Sequence, residues 1–449
     1  MNLKVCTRLI LGAAVAILVV ALGVVVWAYQ ARSQGVRQSS LGRWDECRRS
    51  LEHYLWLRPN DDAANLLVAE AYVRDEDLLI GDAVSKAARC LQRIPDHSRL
   101  GSEARAKEAR VRFLLLHQPY QAEKLFRRAL ELEPESEENW YLLWRILELT
   151  GRFDQSSPVF WKLYEATPNE HKAIRLRGWY MCQFFPMIAA SDFDRTLGIL
   201  KEGETPLPLT EHKRLLEFRR REPASATGLA AVARWFLFEG DPQFALRLLE
   251  DRDSLEAPFD DPFYVSSLVN VLFQLGQLDR AADLFERWPG TRDGAQYWKL
   301  RGMLYDEYYG DDAEAVHSYE MALSDWPGPV DWRTRSRMAH CLARLKKPDD
   351  ARVVRNSAKD IQDLLDEKVH ERVRLALDDL GNAEQLQGLI KFYEDLHCPR
   401  EAQAWSEHVA RLRSERPASK DARRLTLENS ALPDVPFRDN GGPEQRKPE

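Results

Sequence analysis

Small and apolar residues recur at intervals of three and four along most of the chain, with charged residues filling the positions between. In QAEKLFRRALELEP, Ala122, Phe126 and Ala129 fall on one face of a helix. Pro134 then stops that helix, because it lacks the N–H and its ring clashes with the preceding turn. The following stretch, NWYLLWRILELTGRFDQSSPVFWKLYEATP, repeats the stripe as Ser156, Phe160, Leu163 and Pro168. Each of these lies thirty-four residues after its counterpart. Ahead of this second stripe come Trp140, Leu143, Trp144 and Leu147, then a turn at Gly151. The spacing predicts two helices joined by a tight turn, each burying one face on its neighbour.

The pattern recurs. GRWDECRRSLEHYLWLRP supplies Trp44, Cys47, Leu51, Tyr54 and Pro59, and GDAVSKAARCLQRIP supplies Ala83, Ala87, Cys90 and Pro95. Later copies hold Gly240, Ala245 and Leu249, then Gly276, Ala281 and Phe285. The clearest late copy carries Trp298, Gly302, Tyr305, Ala315, Tyr319, Ala322 and Pro327. Weaker ones surround Ala351 and Ala402. About nine units span roughly residues 30–413. This pattern resembles the tetratricopeptide repeat (TPR), a 34-residue helix–turn–helix, with Trp144 in place of the usual glycine and Ser156 in place of the first small residue.

The resemblance implies an all-α solenoid, a right-handed superhelix whose concave groove is lined by the first helix of each unit. Aligning the units puts Glu138, Tyr141, Arg145, Glu148, Lys172, Arg175, Trp179, Arg234, Ser266, Asn270 and Lys299 in that groove. Mixed aromatic and charged groups there suit an extended peptide or a helix. The Lys/Asn clamp with which some TPR domains grip a C-terminal carboxylate is incomplete: Ser266 stands where the lysine belongs, and Leu300 where the second asparagine does.

Breaks in the pattern suggest the domain layout. Residues 182–224 lose it, with Pro186, EGETPLPLT and the basic EHKRLLEFRRREP, and read as an irregular helical joint. A front array would occupy 30–181 and a rear array 225–413, with an extra helix near 366–380. Residues 414–449 are rich in Pro and mixed charge, cannot bury enough surface to offset ordering entropy, and read as a disordered tail.

Residues 1–8 form a short basic head. From Leu9 to Tyr29 no residue is charged. At about 1.5 Å per residue, such a helix spans a hydrocarbon core of about 30 Å. Trp27 and Tyr29 stand where an interfacial aromatic belt would be. Length argues for an uncleaved transmembrane anchor over a signal peptide. Lys4 and Arg8 ahead of it lean toward a single-pass protein of a bacterial cytoplasmic membrane, with its repeats exported to the periplasmic side.

Composition narrows the function. The net charge of −7 argues against nucleic acid as a partner. The cysteines do not have the spacing of a disulfide framework. The pairs His340–Cys341 and His397–Cys398 lack further ligands at zinc-site spacing, so no metal or other cofactor is expected. No phosphate-binding, dinucleotide, zinc-protease or serine-hydrolase motif occurs, and no catalytic residue is expected. Asp260–Asp261 and Asp311–Asp312 read as helix caps. The expectation is a membrane-anchored scaffold for protein–protein interaction, not an enzyme. The alternatives are an envelope assembly or quality-control factor of the translocon-associated kind, or an all-helical enzyme. The packing role of the stripe is testable. Ala129→Trp should overpack the helix interface and cost about 1–3 kcal/mol, read as a lowered melting temperature. An unchanged melting temperature would sink the assignment.

Overall fold

The computed structural model describes residues 3–75, 78–201, 203–205, 208–251, 255 and 257–414. The first two residues of the basic head and the tail beyond Ser414 lie outside them. Every regular element among the described residues is helical. The described helices divide into two compact units, the first comprising the residues up to Leu116 and Lys124–Pro134, the second His117–Glu123 and Glu135 to Ser414.

The first unit contains α1 (Leu3–Ser40), α2 (Trp44–Leu57), α3 (Asp62–Arg74), α4 (Ile80–Gln92), α5 (Gly101–Leu116) and most of α6 (Pro119–Leu132). Short turns make successive helices antiparallel. Asp61 accepts the N–H of Ala64 at 2.9 Å and so caps α3. Where α1 and α2 meet, a Cβ on Gly35 would come within 2.5 Å of Leu51 Cγ. Around this approach Ala28, Ala31, Cys47 and Leu51 are buried together. α5 and α6 are tied by the Ser102 hydroxyl, which donates to the Ala129 carbonyl at 3.2 Å.

The 9–29 stretch lies within α1, and its side chains are described from Leu18 onward. Leu18, Val19, Val20 and Leu22 are 63–68 % exposed, whereas Ala28 is 3 % exposed. Among the described residues no helix is long and apolar enough to cross a membrane.

The second unit contains the start of α6, then α7 (Glu137–Leu149), α8 (Phe153–Ala166), α9 (Lys172–Phe184), α10 (Pro186–Thr196), α11 (Pro208–Arg221), α12 (Ala226–Phe238), α13 (Pro242–Glu250), α14 (Pro262–Gln274) and α15 (Leu278–Glu286). It continues through α16 (Ala295–Leu304), α17 (Asp312–Ser324), α18 (Trp332–Arg344), α19 (Pro348–Leu364), α20 (Glu367–Leu377), α21 (Ala383–Asp395) and α22 (Pro399–Ser414). Ala122, Phe126, Ala129, Phe160, Ala281, Ala315, Tyr319 and Ala322 all lie in the core, and Trp140 is half-buried. A Cβ on Gly302 would stand 2.6 Å from the Tyr319 ring, so α16 and α17 touch where the stripe puts its smallest residue. Pro134 and Pro168 follow the ends of α6 and α8, and Pro327 follows α17.

Helix ends follow the same local chemistry. Gly151 and Gly276 both have φ +70°. Beyond them the N–H of Arg152 reaches Leu147 O at 2.9 Å, and that of Gln277 reaches Leu272 O at 2.9 Å. This is the Schellman closure, which needs a left-handed residue. His397 takes the same conformation at φ 60°, with Cys398 N–H on Tyr393 O at 2.9 Å. The histidine in that His–Cys pair is therefore a turn residue. Asp261 caps α14 and Asp311 caps α17, each through two backbone N–H groups.

Residues 182–224 lie inside the second unit, where they supply α10 and α11. A buried ion pair fixes them. Arg214 on α11 donates twice to Asp194 on α10, at 2.6 and 2.8 Å, and a third time to Leu149 O at the end of α7, at 3.1 Å. Burial pushes the Asp194 carboxyl up from its ordinary range, and Arg214 opposes that shift. Glu222, just past α11, accepts the N–H groups of Tyr120 and Gln121 at 2.9 and 2.8 Å and so caps α6.

The last helices of this unit return to its early ones. Trp179 on α9 donates its indole N–H to Glu401 on α22 at 3.0 Å, and Tyr393 on α21 donates to Gln183 at 2.8 Å. The Tyr180 hydroxyl lies 2.9 Å from His370 Nδ1 on α20. Asp194→Ala should leave Arg214 buried without its counter-charge and cost about 3–5 kcal/mol in a urea unfolding measurement. Replacing both partners by apolar residues of similar volume should recover most of that loss.

Candidate protein-binding surface

The eleven residues assigned to the groove by alignment are distributed over five helices of the second unit. Four of them, Arg145, Glu148, Trp179 and Ser266, are buried. Arg145 donates to the Ala189 carbonyl at 2.6 Å and lies 4.6 Å over the Phe193 ring. Trp179 stacks on Phe160 at 4.6 Å and meets Trp326 edge-on at 5.8 Å, so its indole is enclosed by protein on all the sides those partners occupy. The Ser266 hydroxyl donates back to Phe263 O at 2.9 Å within its own helix.

The remaining seven are half-buried. Arg175 donates to Glu137 at 2.9 and 3.2 Å and lies 4.4 Å over Tyr141. Lys172 sits over Tyr164 at 4.8 Å, Arg234 over Phe263 at 4.8 Å, and Lys299 reaches Asp331 at 2.6 Å. Glu138 and Asn270 complete the set. α7 and α9 thus bring Tyr141, Arg145, Arg175 and Trp179 into one aromatic and cationic cluster.

A different surface stands open in the first unit. A cavity of about 140 Å³ lies between α3 and α5, the first helices of successive pairs. Its floor is apolar: Ala69, Val73, Val111, Leu114 and Leu115, closed beneath by Leu91. Its rim is charged. Glu70 accepts from Arg74 at 2.9 Å and from Lys107 at 3.1 Å, and Arg110 stands beside them. An apolar floor inside a charged rim accepts one bulky apolar side chain and aligns the polar groups that flank it. Sequence alone did not single out these positions. Val73 and Leu115 sit at helical spacings that read equally well as core, and only the gap between two helices distinguishes them.

Other clusters have bland chemistry. Asp306, Asp312 and Cys341 offer ligand atoms within 4.8 Å of one another. Arg344 already donates to both carboxylates, so their charge is met by a guanidinium. Burial pushes the thiols of Cys47 and Cys90 up to about 11, which leaves them unreactive.

No family model matches the chain, and no curated protein matches it. Among solved structures it is similar to the APC/C hetero-tetramer Cut9–Hcn1 (14% identity, 87% of this chain and 74% of that one, TM-score 0.33). It is also similar to the TPR domain of P58(IPK) (16% identity, 80% and 100% coverage, TM-score 0.27). A third is a tetratricopeptide repeat protein from Parabacteroides merdae (12% identity, 70% and 99% coverage, TM-score 0.26). The helical-repeat fold rests on the packing described above and not on these likenesses.

Glu148 gives the cluster a pH signature. Burial pushes its carboxyl up to about 7 from 4.5, against the opposing pull of Ser156 and Arg145. The folded state therefore holds the proton more tightly than the unfolded chain. The stability this confers is full below pH 4.5 and is lost as pH rises to 7. The loss amounts to about 3 kcal/mol. Glu148→Gln should flatten that part of the stability curve and melt higher than the parent at pH 7.5, which paired thermal melts across the range would show.

Proposed function

We propose that this chain is a membrane-anchored TPR-like scaffold that holds a protein partner on the face made by its first helices. The observation that carries this reading is the α3–α5 cavity, with its apolar floor and paired charges at the rim. That arrangement favours an amphipathic helix or an extended peptide whose large apolar side chain enters between Val73 and Leu114. Rim charges would set its direction, because like charges brought against Glu70 or Lys107 are costly. In the α7 and α9 cluster Arg145 and Trp179 are buried, so only the half-buried Tyr141 and Arg175 would be offered to a partner.

The anchor in this proposal is residues 9–29, with the repeats on the periplasmic side of a bacterial cytoplasmic membrane. Support comes from the exposed apolar side chains of α1 between Leu18 and Leu22 and from the basic residues that precede them in the sequence. Spheroplast proteolysis tests the orientation: the repeats should be cut from outside without lysis.

Partner binding is tested by placing a photo-crosslinking residue at Val73 and at Leu115 in the full-length protein in native membranes. A discrete protein adduct at both positions, lost on Glu70→Lys with Lys107→Glu, is the expected result. Adducts no different from those at an unrelated exposed position such as Val353 would overturn the assignment of this face.

A further inference from the structure

A second groove in the first unit, between the C-terminal halves of α2 and α4, has a cavity of about 500 Å³ and a different character. Lys86 and Arg89 on α4 and Arg93 just past its end follow at spacings of three and four on one side, and all three are exposed. Among the described residues none of them is in a salt bridge; Lys86 lies 5.6 Å over the Tyr72 ring. Among the described residues that line the groove the one carboxylate, Glu52, is engaged by the Tyr72 hydroxyl and by Arg48. A chain of net charge −7 therefore keeps an uncompensated cationic groove here. Opposite the cations stands Trp56, 77 % exposed, whereas most other tryptophans are packed.

Position adds the second argument. His53 lies 5.4 Å from the Trp27 ring, and Tyr54 lies 6.2 Å from Tyr29. Because α2 runs antiparallel to α1, Trp56 is about one turn further toward the exposed Leu18–Leu22 segment of α1. Pro59 just past α2, Arg89 in the last turn of α4 and Arg93 just past α4 also line the groove. Cations beside an amphipathic indole, at the level where a helix turns apolar, match the headgroup layer of a bilayer.

We propose that this groove seats the headgroup of an anionic phospholipid of the membrane that holds α1. The proposal rests on the anchor reading above. The phosphate, with no choline cation to offset it, would meet Lys86, Arg89 and Arg93, while Trp56 covers the glycerol region. No bond is made or broken. The seat would fix the first unit against the bilayer by charge as well as by the helix.

The test uses the full-length chain in neutral detergent. Short-chain phosphatidylglycerol, short-chain phosphatidylcholine and inorganic phosphate are each titrated while tryptophan fluorescence is followed. Phosphatidylglycerol should give a saturable change that phosphatidylcholine does not give. Arg89→Gln with Arg93→Gln should weaken it by roughly tenfold or more. Trp56→Phe should abolish the signal, with circular dichroism melts unchanged for both variants. Equal responses to the two lipids would overturn the headgroup seat, and inorganic phosphate binding as tightly as phosphatidylglycerol would reassign the groove to a soluble anion. Vesicle flotation separates the two readings. A chain that floats with vesicles but shows no anionic preference loses the groove proposal and keeps the anchor; a chain that does not float loses both.

Discussion

The close approach of paired helices at a small residue is the constraint on which the structure depends. At Gly35 against Leu51 and at Gly302 against Tyr319, the space for even one added carbon is missing. Each approach lets a large side chain of the second helix lie flat on the backbone of the first and exclude water there. A stack made this way has no single centre. Its stability is a sum of neighbouring interfaces, so a fault at one pair is felt mainly by that pair and the next.

The second unit departs from a purely local stack in two ways. Arg214 and Asp194 spend a buried ion pair on holding α10 and α11 to the end of α7, where apolar packing alone would have left the orientation of two short helices loosely fixed. The return of α21 and α22 onto α9 adds contacts between residues more than two hundred positions apart. Such contacts close a large loop of chain, with an entropic cost that grows only slowly with its length. They convert part of an open array into a body whose ends support each other.

The repeat positions were legible because their rule is local. Ala315, Tyr319 and Ala322 are buried for the same reason that their spacing can be read: three and four residues make a helical face. The turn residues were legible for a similar reason, since Gly151 and Gly276 occupy conformations that other residues adopt only at a cost. What could not be read was anything without a period. Nothing in the sequence around Trp179 announces Glu401 as its partner. The α3–α5 cavity was missed because it is made by the distance between helices, and Trp56 because one exposed tryptophan looks like its packed neighbours in a one-dimensional pattern.

The first helix carries a consequence of its own. α1 runs unbroken from Leu3 to Ser40, so its apolar half and the half that packs on α2 are one rod of 38 residues. There is no swivel between them. The azimuth of the first unit about that rod is written in the residue count between Leu22 and Ala28. Adding one residue there would turn one half against the other by about 100°. Length alone could then be kept while the direction in which the groove of Trp56 and Arg89 faces was changed.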